Sequence, residues 1–240
     1  MADQEPVRLH CFAHSGEDLS VLDDWAAIAG PGVRPPPVPP PGRTRRRTET
    51  PTTAYRVLLA DVLPQLTAPH PGPYALHGHG PGAMVTLAAA RALHEARLPG
   101  PALLAVGACP SPRPPLGPPG ARRPPDPATP PAGDGRDRGR AALPVSRRRR
   151  ATGPRLQESV RRPSPVGPLT VQVLVAASRE NPPARPATTA GRRHWTTGPV
   201  RSRTGPGRHF FVRGGRELPR LLGQACRIAR RLVRGPAPVG

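Results

Sequence analysis

The sequence predicts an α/β fold in which a mostly parallel sheet has helices on both faces. Two near-continuous apolar runs, 102–106 and 169–176, indicate strands that are buried on both sides, as in parallel sheets. A third strand at 73–79 leads into a glycine-rich turn and then into an alanine-rich helix at 81–97. A chain of 240 residues is long enough to bury a core for one such domain.

The other elements follow the same strand–helix rhythm. Residues 8–12 predict a strand, and 18–29 predict a helix that has acidic residues early and stops at a Gly-Pro pair. The segment 33–42 stands where a second strand is expected, but its prolines have no N–H to donate, so it can only be an edge, polyproline-like segment or a loop. Helices are predicted at 51–66 and at 216–234. The apolar positions that predict the last helix are Leu218, Leu221, Leu222, Ala225, Cys226, Ala229, Leu232 and Val233.

The composition divides the chain into a domain and an insert. The net charge is +21 and there is no lysine, yet 13 arginines against four acidic residues fall between 113 and 165, a stretch without any aromatic residue. Such a stretch cannot bury enough apolar surface to offset its ordering entropy, and it predicts disorder. We therefore expect a domain formed by 1–112 and 168–234, an insert at 113–167 and a tail at 235–240. Arginine-mediated nucleic-acid binding rests on charge alone and stays open only as a minor alternative.

The cysteines predict no metal site, and the first residues do not resemble a signal peptide. Cys11, Cys109 and Cys226 lie far apart without a metal-binding spacing, which indicates small buried side chains in a reducing compartment. The first residues lack the order of a signal peptide, and no apolar run approaches the ~20 residues needed to span a bilayer. We expect a soluble, cytoplasmic monomer with no cofactor, no metal and no membrane partner.

The turn Gly78-His79-Gly80-Pro81-Gly82 is the most informative motif. It has the outline of a nucleophile elbow, the Gly-x-Ser-x-Gly turn that carries a catalytic serine between a strand and a helix. The serine position is occupied by Gly80. The architecture therefore indicates acyl transfer, whereas the side chain that would attack is missing.

Further motifs extend this similarity along the chain. They share the order and spacing of one family and fall at 8–16 (Arg-Leu-His-Cys-Phe-Ala-His-Ser-Gly), Trp25, 40–43 (Pro-Pro-Gly-Arg), 73–79 (Pro-Tyr-Ala-Leu-His-Gly-His), 90–93 (Ala-Arg-Ala-Leu) and 205–211 (Gly-Pro-Gly-Arg-His-Phe-Phe). With these motifs the chain resembles type II thioesterases, the discrete α/β-hydrolases of polyketide and nonribosomal peptide biosynthesis. The resemblance covers residues 7–112 and 168–233, and it places the insert where the family has its helical lid.

The resemblance implies a function and a set of roles. Family members hydrolyse acyl groups from the phosphopantetheine arm of acyl- or peptidyl-carrier domains, using a serine, a histidine and an aspartate. Here Gly80 stands at the nucleophile position, Asn181 at the acid position and His209 at the general-base position. Asn181 can orient an imidazole but cannot stabilise its charged form; Glu180 is a weaker candidate for that role.

The oxyanion hole is altered as well. One donor is normally the backbone N–H of the residue after the nucleophile, and that residue is Pro81, which has none. Losing one such donor typically costs roughly 10²–10³ in rate. The resemblance implies a second donor near Phe12 and Ala13. Together with the missing serine, these changes predict a catalytically impaired or inactive thioesterase-like protein.

Other residues near the turn offer weaker candidates. His77 and His79 flank the elbow, but two histidines without a third ligand make a poor metal site, and His79 matches a histidine that family members carry before their serine. Ser15 lies at the expected mouth of the site but not on an elbow. Two alternatives to the impaired thioesterase stay open: a non-catalytic binder of acyl-carrier domains, and a residual hydrolase in which His209 activates water directly.

Overall fold

Strands and helices alternate up to β4, and two further strands and a last helix follow in the described part of the chain. The computed structural model describes residues 5–12, 22–39, 41–42, 46, 48–50, 54–69, 72–108, 160, 164–178, 195–205 and 215–234. The strands in these ranges are β1 (Val7–Phe12), β2 (Val33–Arg34), β3 (Tyr74–His79), β4 (Leu103–Gly107), β5 (Gln172–Ser178) and β6 (Val200–Gly205). The helices are α1 (Trp25–Ala29), α2 (Tyr55–Thr67), α3 (Pro81–Glu95) and α4 (Glu217–Arg234).

The described strands form one parallel sheet in the order β2-β1-β3-β4-β5-β6. β3 therefore lies inside the sheet, between β1 and β4, and all the strands end at the same edge. Ligands of open parallel sheets bind at this carboxyl edge. The predicted α/β class with a parallel sheet is confirmed.

Apolar side chains fill both faces of the sheet. On one face α2 and α3 pack against the strands through residues such as Leu58, Leu66 and Leu87. On the other face Trp25 of α1 and Leu222 of α4 contribute to a second buried cluster. β3 and β4 are buried over their whole lengths, which explains the continuous apolar sequence of β4; β3 also buries His77 and His79.

The proline-rich segment joins the sheet only at its edge, as predicted. β2 has two residues, and beyond it Cys11 forms an isolated bridge with Pro37. The N–H of Cys11 donates to the carbonyl oxygen of Pro36 at 3.1 Å, and the N–H of Val38 donates to that of Cys11 at 3.0 Å. The prolines thus supply only acceptors to the ladder, so their missing N–H groups cost no hydrogen bond.

Two predicted helices differ from the structure. The helix expected at 18–29 begins only at Trp25, because Leu22 and Trp25 both enter the core and the chain between them forms a tighter turn; residues 13–21 lie outside the described part. In α4 the last two positions of the predicted apolar pattern, Leu232 and Val233, lie outside the core, since both are more than 60% exposed. The guanidinium of Arg227 donates to the carbonyl oxygen of Ala29, and that of Arg230 lies beside Gly32, just before the edge strand β2.

β6 was not predicted, and the insert is described only near its end. β6 pairs with β5, but four of its six residues are exposed, so its sequence lacks an apolar signal. Most of 113–165 lies outside the described residues, and its predicted disorder stays a prediction. Val160 is nevertheless buried in the core beside α2 and α3, and Ser164 donates a hydrogen bond to Glu95 at 2.9 Å. The described residues at the carboxyl end of the insert thus pack onto the domain.

Candidate active site

The turn between β3 and α3 has an unusual backbone conformation. The strand is buried up to His79, Gly80 follows with φ 54° and ψ −124°, and Pro81 begins the helix. A residue with a side chain is strained at this positive φ, whereas glycine adopts it readily. A sharp strand-to-helix turn with a strained central residue is the geometry of a nucleophile elbow. The elbow predicted from the sequence is therefore present, with glycine at its centre.

Backbone contacts hold this turn in place. The N–H of Gly80 donates to the carbonyl oxygen of Gly107 on β4 at 2.8 Å, and the N–H of Ala83 donates to the carbonyl oxygen of Gly80 at 3.1 Å. Gly78 allows the helix to approach the strand closely, because a Cβ there would lie 2.3 Å from the carbonyl oxygen of Gly82. None of these contacts needs a side chain at position 80, so the backbone of the turn does not depend on the missing serine.

The chemistry of the turn follows from its residues. Gly80 has no nucleophilic group, and Pro81, in the first position of α3, has no N–H to offer an oxyanion. Phe12 is the last residue of β1 and pairs in register with Gly78, two residues before Gly80. The structure thus places Gly80, Pro81 and Phe12 at the same sheet edge.

The remaining predicted site residues lie outside the described part of the chain. These are Ala13, Ser15, Glu180, Asn181 and His209. Asn181 comes three positions after the end of β5 at Ser178, and His209 comes four positions after the end of β6 at Gly205. Both strands end at the edge that carries the elbow, and the order nucleophile, acid, histidine along the chain matches that of α/β-hydrolases. Their roles stay predictions.

The two histidines beside the elbow are buried. His77 and His79 are each 2% exposed, and the ring of His77 lies 5.5 Å from that of Trp25. Burial lowers the pKa of His77 to about 4, with the backbone of Ala105 acting in the opposite direction, so the ring is neutral at pH 7. Within the described ranges no group of three or more histidines, cysteines or acids is placed to hold a metal ion.

The two described cysteines also belong to the core. Cys11 and Cys226 are buried in the cluster beside α1 and α4, and burial raises the pKa of both thiols, that of Cys226 to about 12. A thiol that is protonated at pH 7 is a poor nucleophile. The prediction of small buried side chains is confirmed for these two, while Cys109 lies outside the described residues.

Two residues that support the elbow were not singled out from the sequence. Gly107 accepts the hydrogen bond from Gly80, and the hydroxyl of Thr86, fully buried in α3, donates to the carbonyl oxygen of Gly82 at 2.8 Å. The sequence signal for Thr86 is a single polar residue within the otherwise apolar run 83–90. Gly107 carries no comparable signal, because its contribution is a backbone carbonyl.

The fold of the chain is similar to that of several known proteins. No protein-family model and no curated protein sequence matches the chain. Solved structures do match. RedJ, a thioesterase of the prodiginine biosynthetic pathway in Streptomyces coelicolor, is 26% identical over 92% of this chain and 90% of its own, with a TM-score of 0.66. ClbQ, from the colibactin pathway of nonribosomal peptide and polyketide synthesis, is 17% identical over 96% of this chain and 100% of its own, with a TM-score of 0.70.

A third neighbour is of the same kind. BorB, a type II thioesterase of the borrelidin cluster, is 22% identical over 92% of both chains, with a TM-score of 0.66. These matches confirm the resemblance to type II thioesterases and the α/β-hydrolase fold. Within the described ranges no helix is both long and apolar enough to cross a membrane.

Proposed function

We propose that this chain is a thioesterase-like α/β-hydrolase of the kind that removes acyl groups from carrier domains, and that its own hydrolytic activity is impaired or lost. One observation carries the proposal: Gly80 keeps the backbone of a nucleophile elbow, with φ 54° and ψ −124°, but has no hydroxyl. The likeness to RedJ and BorB supports the substrate class.

The proposed loss of activity has two independent causes in the described residues. Without a serine at position 80 no acyl-enzyme can form, because the thioester carbon has no nucleophile to accept. Without an N–H at Pro81 the negative oxygen of a tetrahedral intermediate loses one of its two backbone donors. The predicted Asn181 adds a third defect, since an amide cannot balance the charge of a protonated His209.

A binding function without turnover is the second candidate. The hydrogen bonds from Gly80 to Gly107 and from Ala83 to Gly80 maintain the turn without a catalytic side chain. A fold that keeps its site edge while losing its nucleophile can still bind an acylated phosphopantetheine arm. In this form the protein would sequester carrier domains and not unload them. Residual hydrolysis by water that His209 activates is the remaining alternative.

The decisive experiment measures free-thiol release from a short acyl-pantetheine thioester. The parent protein is compared with Gly80→Ser and with His209→Ala, each checked for folding by circular dichroism. We expect no release by the parent and slow release by Gly80→Ser, because the serine would enter an elbow that already has its backbone conformation.

Two other results would contradict parts of the proposal. Release by the parent that disappears in His209→Ala would show a working hydrolase, so the proposed impairment would be wrong. Silence of folded Gly80→Ser, also after Pro81→Ala is added, would contradict the expected release and would show that restoring the nucleophile and the oxyanion donor is not sufficient for hydrolysis; the binding candidate is measured separately below.

A further inference from the structure

We propose that four arginines of β6 and of the start of α4, namely Arg201, Arg203, Arg216 and Arg220, form a docking surface for an acidic carrier domain. We call these residues the β6–α4 arginine surface. This inference rests on the proposed function, because it names the face on which the carrier would sit while its acyl arm enters the site.

The register of the sheet places the two arginines of β6 on one face. Arg201 pairs with Leu174 and Arg203 pairs with Ala176, and both partners belong to the apolar cluster beside α1 and α4. Neighbouring residues in a ladder point to the same side of the sheet. Arg201 and Arg203 therefore lie on the α4 face of the edge strand, where both are exposed.

The beginning of α4 adjoins the end of β6. The carboxylate of Glu217 lies 3.8 Å from where a Cβ on Gly205 would stand, so the first turn of the helix touches the last residue of the strand. Arg216 and Arg220 are exposed there, one helical turn apart, and the N–H of Arg220 donates to the carbonyl oxygen of Arg216 at 3.2 Å. Strand and helix thus present their arginines on adjoining parts of the surface.

The charge of this surface is not neutralised within the described part of the chain. The ion pairs found there involve Arg46 and Arg91, not the four arginines of this surface. The guanidinium of Arg203 donates to the carbonyl oxygen of Ser202, at 3.1 Å. Glu217 is an acidic neighbour at the start of α4. Exposed arginines that form no ion pair with the described residues are available to a negatively charged partner.

The position relative to the elbow favours a carrier as the partner. His79, Gly107, Ala176 and Arg203 are register partners across β3, β4, β5 and β6. Three strand spacings of about 4.8 Å separate the backbone of Arg203 from that of His79, or roughly 14 Å. A domain bound at the arginines could therefore deliver a thioester on a flexible arm to Gly80. A partner that used charge alone would not need this proximity.

The test measures binding of a purified, phosphopantetheinylated acyl-carrier domain of net negative charge to the full chain by fluorescence anisotropy. The double variant Arg201→Glu/Arg203→Glu is compared with the matched control Arg34→Glu/Arg56→Glu, which reverses two exposed arginines on β2 and α2, away from this surface. We expect the first variant to bind about tenfold or more weakly, the control to bind like the parent, and parental binding to weaken as salt increases.

Three results would overturn the docking surface. One is a parent that does not bind the carrier, and another is an equal loss of binding in the test and control variants. The third is equally tight binding of a double-stranded oligonucleotide through the same arginines, which would assign the surface to nucleic acid. Binding needs no turnover, so these results are independent of thiol release by Gly80→Ser, and failure of the hydrolytic proposal is read separately.

Discussion

The backbone N–H of Gly80 donates a hydrogen bond of 2.8 Å to the carbonyl oxygen of Gly107, and this bond ties the turn after β3 to the end of β4. It joins two main-chain groups, so substitution at position 80 leaves it intact. This explains how a chain can keep the architecture of a nucleophile elbow after the nucleophile is gone.

Restoring the oxyanion donor should raise the rate of a restored serine. In the Gly80→Ser background, Pro81→Ala supplies a backbone N–H at the first position of α3. We expect thiol release from acyl-pantetheine to increase roughly 10²–10³-fold over Gly80→Ser alone. The parent carrying only Pro81→Ala serves as the control and should stay silent, because it has no nucleophile. Equal rates in the two serine variants would show that the N–H at position 81 does not face the developing oxyanion.

The close approach of α3 to β3 should make position 78 intolerant of a side chain. A Cβ on Gly78 would lie 2.3 Å from both the carbonyl oxygen of Gly82 and the hydroxyl of Thr86, and the first of these is backbone that cannot rotate away. We expect Gly78→Ala to lower the free energy of unfolding by about 3 kcal/mol, the upper end of overpacking costs. Gly100→Ala, where a Cβ would meet no atom within 4 Å, is the matched control. Similar urea midpoints for both variants would contradict the packing of the elbow.

His77 should make the fold less stable in mild acid. Its pKa is about 4 in the folded protein, because burial disfavours the charged ring, against about 6.5 in the unfolded chain. Between these values the unfolded state binds a proton that the folded state does not, so stability falls as the pH drops from 6.5 to 4, by about 3 kcal/mol at most. His77→Phe should reduce this loss, as measured by urea unfolding at both pH values. An unchanged pH dependence would assign the effect to other groups.

The elements that could be predicted from the sequence are those whose side chains are buried. β4 and α3 are buried mainly through apolar residues, and β3 leads directly into the glycine-rich turn, so the local pattern indicated all three. β6 is held in the sheet by backbone pairing with β5, while its arginines are exposed to solvent. Backbone pairing does not require particular residue types, so the sequence of β6 does not indicate a strand. The last turn of α4 continues the apolar periodicity of the helix, yet its Leu232 and Val233 are exposed, so periodicity alone does not show where the contact with the core ends.

The same distinction applies to the site. Gly80 and Pro81 could be recognised because their significance lies in their own chemistry, one lacking a side chain and the other an N–H. The contribution of Gly107 depends on which strand lies beside β3, and strand order is a long-range property that local sequence does not encode. For the same reason the arginines of β6 became a surface only once their register with Leu174 and Ala176 was known.

The ion pair of Arg46 with Asp61 should contribute more to the free energy of unfolding than its ion pair with Glu49. Its guanidinium donates to both oxygens of Asp61 at 2.6 Å, and separately to Glu49. The side chain of Asp61 is 20% exposed and lies on α2, whereas that of Glu49 is 45% exposed and is only three residues from Arg46. Burial and the long chain separation make the Asp61 pair the one that fixes the loop to the helix.

We expect Asp61→Asn to lower the free energy of unfolding by about 1 kcal/mol and Glu49→Gln to leave it unchanged within error, both measured by urea unfolding at pH 7. A larger loss in Glu49→Gln would reverse this order and would mean that the local pair orders the loop.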